Sequence, residues 1–188
     1  MSKIRDQLRD SAAQLKSPRA LALTALFIAL NIAMDALNLR IQLTPDLRIG
    51  FGFLTSAMVG MLFGPVVAMT AGAATDILGW LVNTGGGAYF PGFTLTAILA
   101  GLIWGLFLYQ RPLKWWRCLG AKLVINVFLN IFLNSVWMHI YYGKAMIVAD
   151  LPLRIGKNLL LLPVEVLLLT GVAGLVSAAY RRMPKSGG

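Results

Sequence analysis

The chain has 188 residues, 58% of them apolar and only 13% charged, against about 25% charged residues in an average soluble domain. That balance argues against a soluble fold, and at about 20 apolar residues per transmembrane helix it leaves room for six spans with short connections and no separate soluble domain. The formal charge of +10 comes from basic residues beside apolar runs, so it reads as membrane topology and not as a nucleic-acid surface.

Residues 1–19 carry charges of both signs and lack a short apolar region ending in a small-residue cleavage site, so they are expected to persist as a cytoplasmic N-terminal segment. A six-helix membrane domain is expected over 20–180. Its first run, 20–37, is interrupted by Thr24, Asn31 and Asp35. Within it Ala25, Ala29 and Ala33 recur every four residues and share one helix face. Such a small-residue stripe allows another helix to come close, either from the same bundle or from a partner protein.

The second and third runs, 49–63 and 66–82, are separated by Gly64-Pro65, a strong turn signal. A fourth run, 93–109, stops at Arg111 and Pro112, and Trp115 and Trp116 follow between Lys114 and Arg117 in the pattern of an interfacial anchor. The fifth run is 119–142, the sixth 159–180, and 181–188 form a tail. With six spans, twelve of the 17 Lys and Arg residues fall on the side of the termini, Lys122 among them. The other side has five: Arg40, Arg48, Lys144, Arg154 and Lys157. The positive-inside rule then puts both termini in the cytoplasm.

Polar residues inside these runs are costly, at about 2.5 to 3.5 kcal/mol for a charge near the bilayer centre. Asp76, inside the third run, calls for a basic partner on a neighbouring helix or for a ligand. Glu165 follows Pro163, which frees a backbone carbonyl, and local polar groups gather at such breaks. Asn126, Asn130 and Asn134 are spaced by four on the fifth helix, with Trp137 about one turn further on. They serve either as bonds between helices or as a pocket wall offering amides to a heterocycle. His139 has no companion at metal-ligand spacing. Cys118, the single cysteine, excludes an internal disulfide and reads as a packing residue.

The connections on the less basic side hold Arg48 before Gly50-Phe51-Gly52-Phe53, the run Asn83-Thr84-Gly85-Gly86-Gly87-Ala88-Tyr89-Phe90-Pro91-Gly92-Phe93, and Arg154, Lys157 and Asn158. Aromatic faces stack on planar rings and arginine grips carboxylates, so an anionic aromatic metabolite suits this convergence. The triple glycine lacks the Lys-Ser or Lys-Thr of a phosphate loop, and Gly50 and Gly52 lack a dinucleotide setting. No nucleophile, base and carboxylate set stands out. No catalytic residue, metal or cofactor is assigned.

Taken in order, Leu47-Arg48-Ile49-Gly50-Phe51-Gly52-Phe53-Leu54, Gly60-Met61-Leu62-Phe63-Gly64-Pro65, Asp76-Ile77-Leu78-Gly79 and Tyr89-Phe90-Pro91-Gly92-Phe93-Thr94-Leu95 closely resemble the folate-type substrate-binding subunits of energy-coupling factor transporters. The likeness continues through Asn130 to Trp137 and from Arg154 to Pro163, and covers about residues 20 to 175. It implies a six-helix vitamin-binding subunit of the bacterial cell membrane with an outward pocket. Such a subunit associates with a transmembrane coupling protein and two cytoplasmic ATPases and topples in the membrane to release its cargo. The Ala25, Ala29, Ala33 face is similar to the motif by which such subunits dock on the coupling protein. On this reading a pterin ring lies among Trp80, Tyr89, Phe90, Phe93 and Trp137, its edge is met by Asp76, Asn130 and Asn134, and Arg48, Arg154, Lys157 and Asn158 stand near the mouth, where the basic ones meet the glutamate tail. Thiamine, pantothenate or a queuosine precursor would be alternative cargoes for the same architecture, and a membrane scaffold the alternative outside transport.

Overall fold

Apolar runs joined by tight turns become helices laid side by side. The computed structural model describes residues 2–42, 48–82, 88–142 and 145–182, apart from the side chains of 2, 40–42, 48, 49, 141, 142 and 145–154. In chain order these form α1 (Ser2–Gln14), α2 (Pro18–Ala36), strands β1 (Arg40–Gln42) and β2 (Arg48–Gly50), α3 (Gly52–Phe63), α4 (Pro65–Val82), α5 (Pro91–Leu108), α6 (Trp115–Val124), a π-helix (Ile125–Leu133), α7 (Asn134–Tyr142) and α8 (Ala145–Arg182). The regular elements among the described residues are helices and one antiparallel ribbon, in which Arg40, Ile41 and Gln42 face Gly50, Ile49 and Arg48.

Among the described residues, five helical segments are long and apolar enough to cross a membrane: Pro18–Ala36, Pro65–Val82, Pro91–Leu108, Trp115–Ile140 and Ile155–Arg182. The second apolar run differs from its expected extent. Its first residues pair in β2, so α3 has 12 residues, about 18 Å at 1.5 Å per residue against a hydrocarbon core of about 30 Å. The last run differs in the other direction, because α8 extends over 38 residues through both Pro152 and Pro163.

Small residues hold the centre together. A Cβ on Gly72 would collide with the Ala97 carbonyl of α5, one on Gly101 with the Ala68 carbonyl of α4, and one on Gly105 with Pro65. These positions recur at three- or four-residue spacing on both helices, so α4 and α5 meet backbone to backbone along their length. A Cβ on Gly60 would lie 2.7 Å from the Trp104 Cβ, which brings α3 against the same helix and encloses Trp104 at 1% exposure. Cys118 lies in this core, fully buried with Met58, Leu129 and Leu169.

The N-terminal segment is an ordered part of the bundle. Gln7, Leu8 and Ser11 fall on one face of α1 and turn inward. Gly64 closes α3 at φ 88°, a conformation that suits glycine, and the Ser11 hydroxyl occupies this turn. It donates to the Phe63 carbonyl at 2.8 Å and accepts from the amides of Val66 at 2.9 Å and Val67 at 3.2 Å. A side chain from a distant helix thereby caps α4, since Pro65 leaves no capping residue of its own.

Two expectations about charge change. Lys122 lies inside α6 and not in a loop, with its side chain only 5% exposed, and its Nζ is 3.1 Å from Glu165 Oε2 of α8. The same ammonium sits 4.2 Å from the Phe53 ring of α3. Glu165 is therefore explained by an ion pair across the bundle, not by the break at Pro163. Removing one partner of a buried pair strands the other charge, at about 3 to 5 kcal/mol, whereas removing both is often neutral. Thermal unfolding in detergent is expected to show K122M strongly destabilised and K122M/E165L restored to near the parent midpoint; equal losses in both would mean that the pair is not the cause.

Candidate functional site

At the end of the bundle away from α1, the ribbon and the ends of α2, α3 and α4 enclose a cavity of about 330 Å³. Asn31, Asp35, Asp76 and Thr75 give it polar walls, while Phe51, Trp80, Ile32 and Leu39 supply apolar ones. A volume within the usual range for small-molecule sites and a few convergent polar groups suit a compact polar heterocycle.

Asn31 and Asp76 are each oriented by a neighbour. Asn31 donates through Nδ2 to the Gly52 carbonyl at 3.0 Å and to Thr55 Oγ1 at 2.6 Å, which ties α2 to the start of α3. A Cβ on Gly52 would lie 2.9 Å from Asn31 Oδ1 and push that side chain aside. Asp76 Oδ2 accepts a hydrogen bond from Thr94 Oγ1 of α5 at 2.6 Å, and the Thr94 hydroxyl also bonds the phenol of Tyr89. Tyr89 in turn meets the edge of Trp80, with ring centroids 5.5 Å apart. Asp76, Thr94, Tyr89 and Trp80 thus form one connected group. No described lysine or arginine reaches Asp76 within ion-pair distance, so the expected basic partner is not among the described residues.

A second network lies on the next helices. Trp137 Nε1 donates to Thr96 Oγ1 at 3.0 Å, and Thr96 is also 3.4 Å from Asn134 Oδ1. The Phe90 ring packs edge to face against both Phe93 and Trp137, at 5.7 and 5.8 Å. Asn126 donates to the Asn158 carbonyl at 3.2 Å, and Asn130 donates to Asn126 Oδ1 at 3.1 Å and to Asn158 Oδ1 at 3.5 Å. The asparagines lie on or beside the π-helix Ile125–Leu133, a rare geometry that recurs at functional sites. Its turn of more than four residues keeps Asn126 and Asn130 nearly in line.

Comparison with known proteins places the chain in a family. Residues 19–180 match the family described as ECF transporter, substrate-specific component. The chain belongs to this family. It is similar to the folate transporter FolT of Clostridium novyi, 38% identical over 157 residues that cover 84% of this chain and 89% of that one. FolT of Leuconostoc mesenteroides is 31% identical, covering 79% of this chain and 80% of its own length. Among solved structures, a crystal structure of FolT bound with folic acid superimposes with a TM-score of 0.73 at 32% identity, covering 84% of this chain and 94% of that one. The S component of a bacterial ECF transporter shares the fold at a TM-score of 0.56 and 21% identity.

As a substrate-specific component, the chain brings only part of the expected constellation to its cavity. Asp76 and Trp80 line it. Tyr89 adjoins through its bond to Thr94 and its contact with Trp80. Asn130, Asn134, Asn158, Trp137, Phe90 and Phe93 belong to the second network, and Lys157 is half-buried on α8. The side chains of Arg48 and Arg154 and the residues 83–87 lie outside those described. Ala25, Ala29 and Ala33 are exposed on the outer face of α2. Asn31 and Asp35 were not anticipated as lining residues. Their four-residue spacing was a visible signal, but on the same helix the alanine stripe is the more conspicuous pattern. Thr94 and Thr96, which orient Asp76 and Trp137, are ordinary helical threonines until a neighbouring helix is placed beside them. Removing the Thr94 hydroxyl leaves buried polar atoms unpaired, which costs about 1 to 3 kcal/mol; T94V is expected to lower the unfolding midpoint, and T94S to retain it.

Proposed function

We propose that this chain captures folate at the outer side of a bacterial cell membrane, as the substrate-binding subunit of an ATP-driven importer. One observation carries the reading: the match to a folic-acid-bound FolT across 84% of the chain coincides with a cavity of fitting chemistry. A pterin presents adjacent N–H donors along one edge, and Asp76, Asp35 and Asn31 offer acceptors to such an edge. Trp80 and Phe51 supply apolar faces for the ring. Tyr89, Phe90, Phe93 and Trp137 extend the aromatic surface toward the mouth, with Asn130, Asn134 and Asn158 as the facing polar wall. Arg48, Arg154 and Lys157 hold the glutamate carboxylates.

Six membrane segments, counting the short α3, place both termini in the cytoplasm. This is supported by an excess of eleven basic residues over five once Lys122 is removed from the loop count. The exposed Ala25, Ala29, Ala33 face is the docking surface for a transmembrane coupling protein, which joins the subunit to two cytoplasmic ATPases. Exposed small residues on the outside of a membrane bundle suit such a contact, because they admit a second helix at close range.

The decisive measurement is a titration of the detergent-purified chain with folate, following the fluorescence of its five tryptophans, with thiamine and pantothenate in parallel. Saturable quenching by folate alone is expected, and D76N is expected to weaken it by roughly tenfold or more, the loss of a charge-assisted hydrogen bond. Tight binding of a different vitamin would keep the architecture and replace the cargo. D76N with parental affinity would remove Asp76 from the pterin edge.

A further inference from the structure

At the end of the bundle opposite the vitamin cavity, α1 and the start of α6 enclose a second cleft, lined by Lys3, Asp6, Gln7, Gln110, Arg111 and Arg117. Helix α4 sets the separation: Ser11 of α1 caps it beside Val66, whereas Asp76 and Trp80 line the cavity further along, about 15 to 20 Å away at 1.5 Å per residue.

This cleft differs from a solvated basic patch in two respects. Nε and Nη1 of Arg117 are buried without a hydrogen-bond partner among the described residues, and the guanidinium is held against the Trp116 ring at 5.0 Å. Gln7, only 6% exposed, is anchored by its donation to the Tyr109 carbonyl at 2.9 Å, yet its Oε1 is also buried and has no partner among the described residues. Buried guanidinium donors call for an anionic acceptor, and the Gln7 oxygen calls for a hydroxyl or amide donor beside it. Three cations, Lys3, Arg111 and Arg117, line the cleft with one carboxylate, Asp6, and a second carboxylate, Asp10, accepts from the lining Gln110 at 3.2 Å, so cations still outnumber carboxylates and the local balance favours an anion. The setting is that of a membrane surface. Trp115 and Trp116 stand 63% and 50% exposed at the same level, as interfacial tryptophans do, and basic pockets at this depth suit anionic headgroups.

We propose that this cleft binds a phosphate group, that of an anionic phospholipid whose headgroup also presents a hydroxyl, as phosphatidylglycerol does. Arg117 donates to the phosphate oxygens, Lys3 and Arg111 add charge at the rim, and Gln7 Oε1 accepts from the hydroxyl. A lipid bound there would clasp α1 to the start of α6.

The test is native mass spectrometry of the full-length chain in a neutral detergent, titrated with phosphatidylglycerol and with phosphatidylcholine of the same acyl chains. Phosphatidylglycerol is expected to be retained about tenfold more tightly. R117Q is expected to abolish that preference, and the rim substitution R111Q to weaken it by about threefold. Both variants should keep the folate titration of the parent, which shows that they fold. Full displacement of the lipid by millimolar inorganic phosphate would retain the phosphate chemistry but overturn the lipid as its source. Equal retention of the two lipids, or a preference unchanged in R117Q, would overturn the site and leave the unpaired donors for an acidic segment of another transporter subunit.

Discussion

The close approach of α4 and α5 is the constraint on which the rest of this structure depends. Gly72 against Ala97, Gly101 against Ala68 and Gly105 against Pro65 leave no room for a Cβ, so the two backbones run in contact. In a lipid environment such contact draws on dispersion and close packing, because apolar side chains gain little by leaving one apolar medium for another. The consequence for function is positional. With α5 held so near, Thr94 reaches Asp76 on α4, while Thr96, two residues on, turns to Trp137 and Asn134. One helix therefore orients the polar groups of the cavity and those of the neighbouring network.

Polar groups elsewhere in the bundle follow the same economy. The Lys122–Glu165 pair connects α6 to α8 and borrows the face of Phe53 on α3, and Ser11 satisfies three backbone groups at the turn between α3 and α4. These contacts link helices that apolar packing alone would leave free to slide. By contrast, Ala25, Ala29 and Ala33 of α2 are exposed along one face, a smooth surface that suits the docking contact proposed above.

The two ends of the molecule differ in chemistry. The end with the cavity gathers aromatic rings, carboxylates and amides around a small volume, suited to a polar heterocycle. The α1 end gathers arginine, lysine and tryptophan, suited to a charged membrane surface.

Much of this was legible in the sequence, because the relevant physics is local. Apolar run length and low charge determined a membrane protein, Gly64-Pro65 marked the turn between α3 and α4, and the ordered motifs from Leu47 to Leu95 identified the family. Spacing alone put Asp76 in a span and aligned Asn126 with Asn130. Tertiary structure decided what those residues do, since a partner on another helix is invisible to periodicity. Lys122 resembled a loop charge until Glu165 was placed 3.1 Å away, and residues 1–19 read as a cytoplasmic segment apart from the six-helix domain until Ser11 of α1 met the Gly64 turn. Ile49 looked like the start of a helix because an apolar run carries no sign of strand pairing, and only the pairing with Ile41 placed it in a ribbon. Asn31 and Asp35 became walls of a cavity once α3 and α4 closed around them, because a cavity belongs to no single segment of the chain.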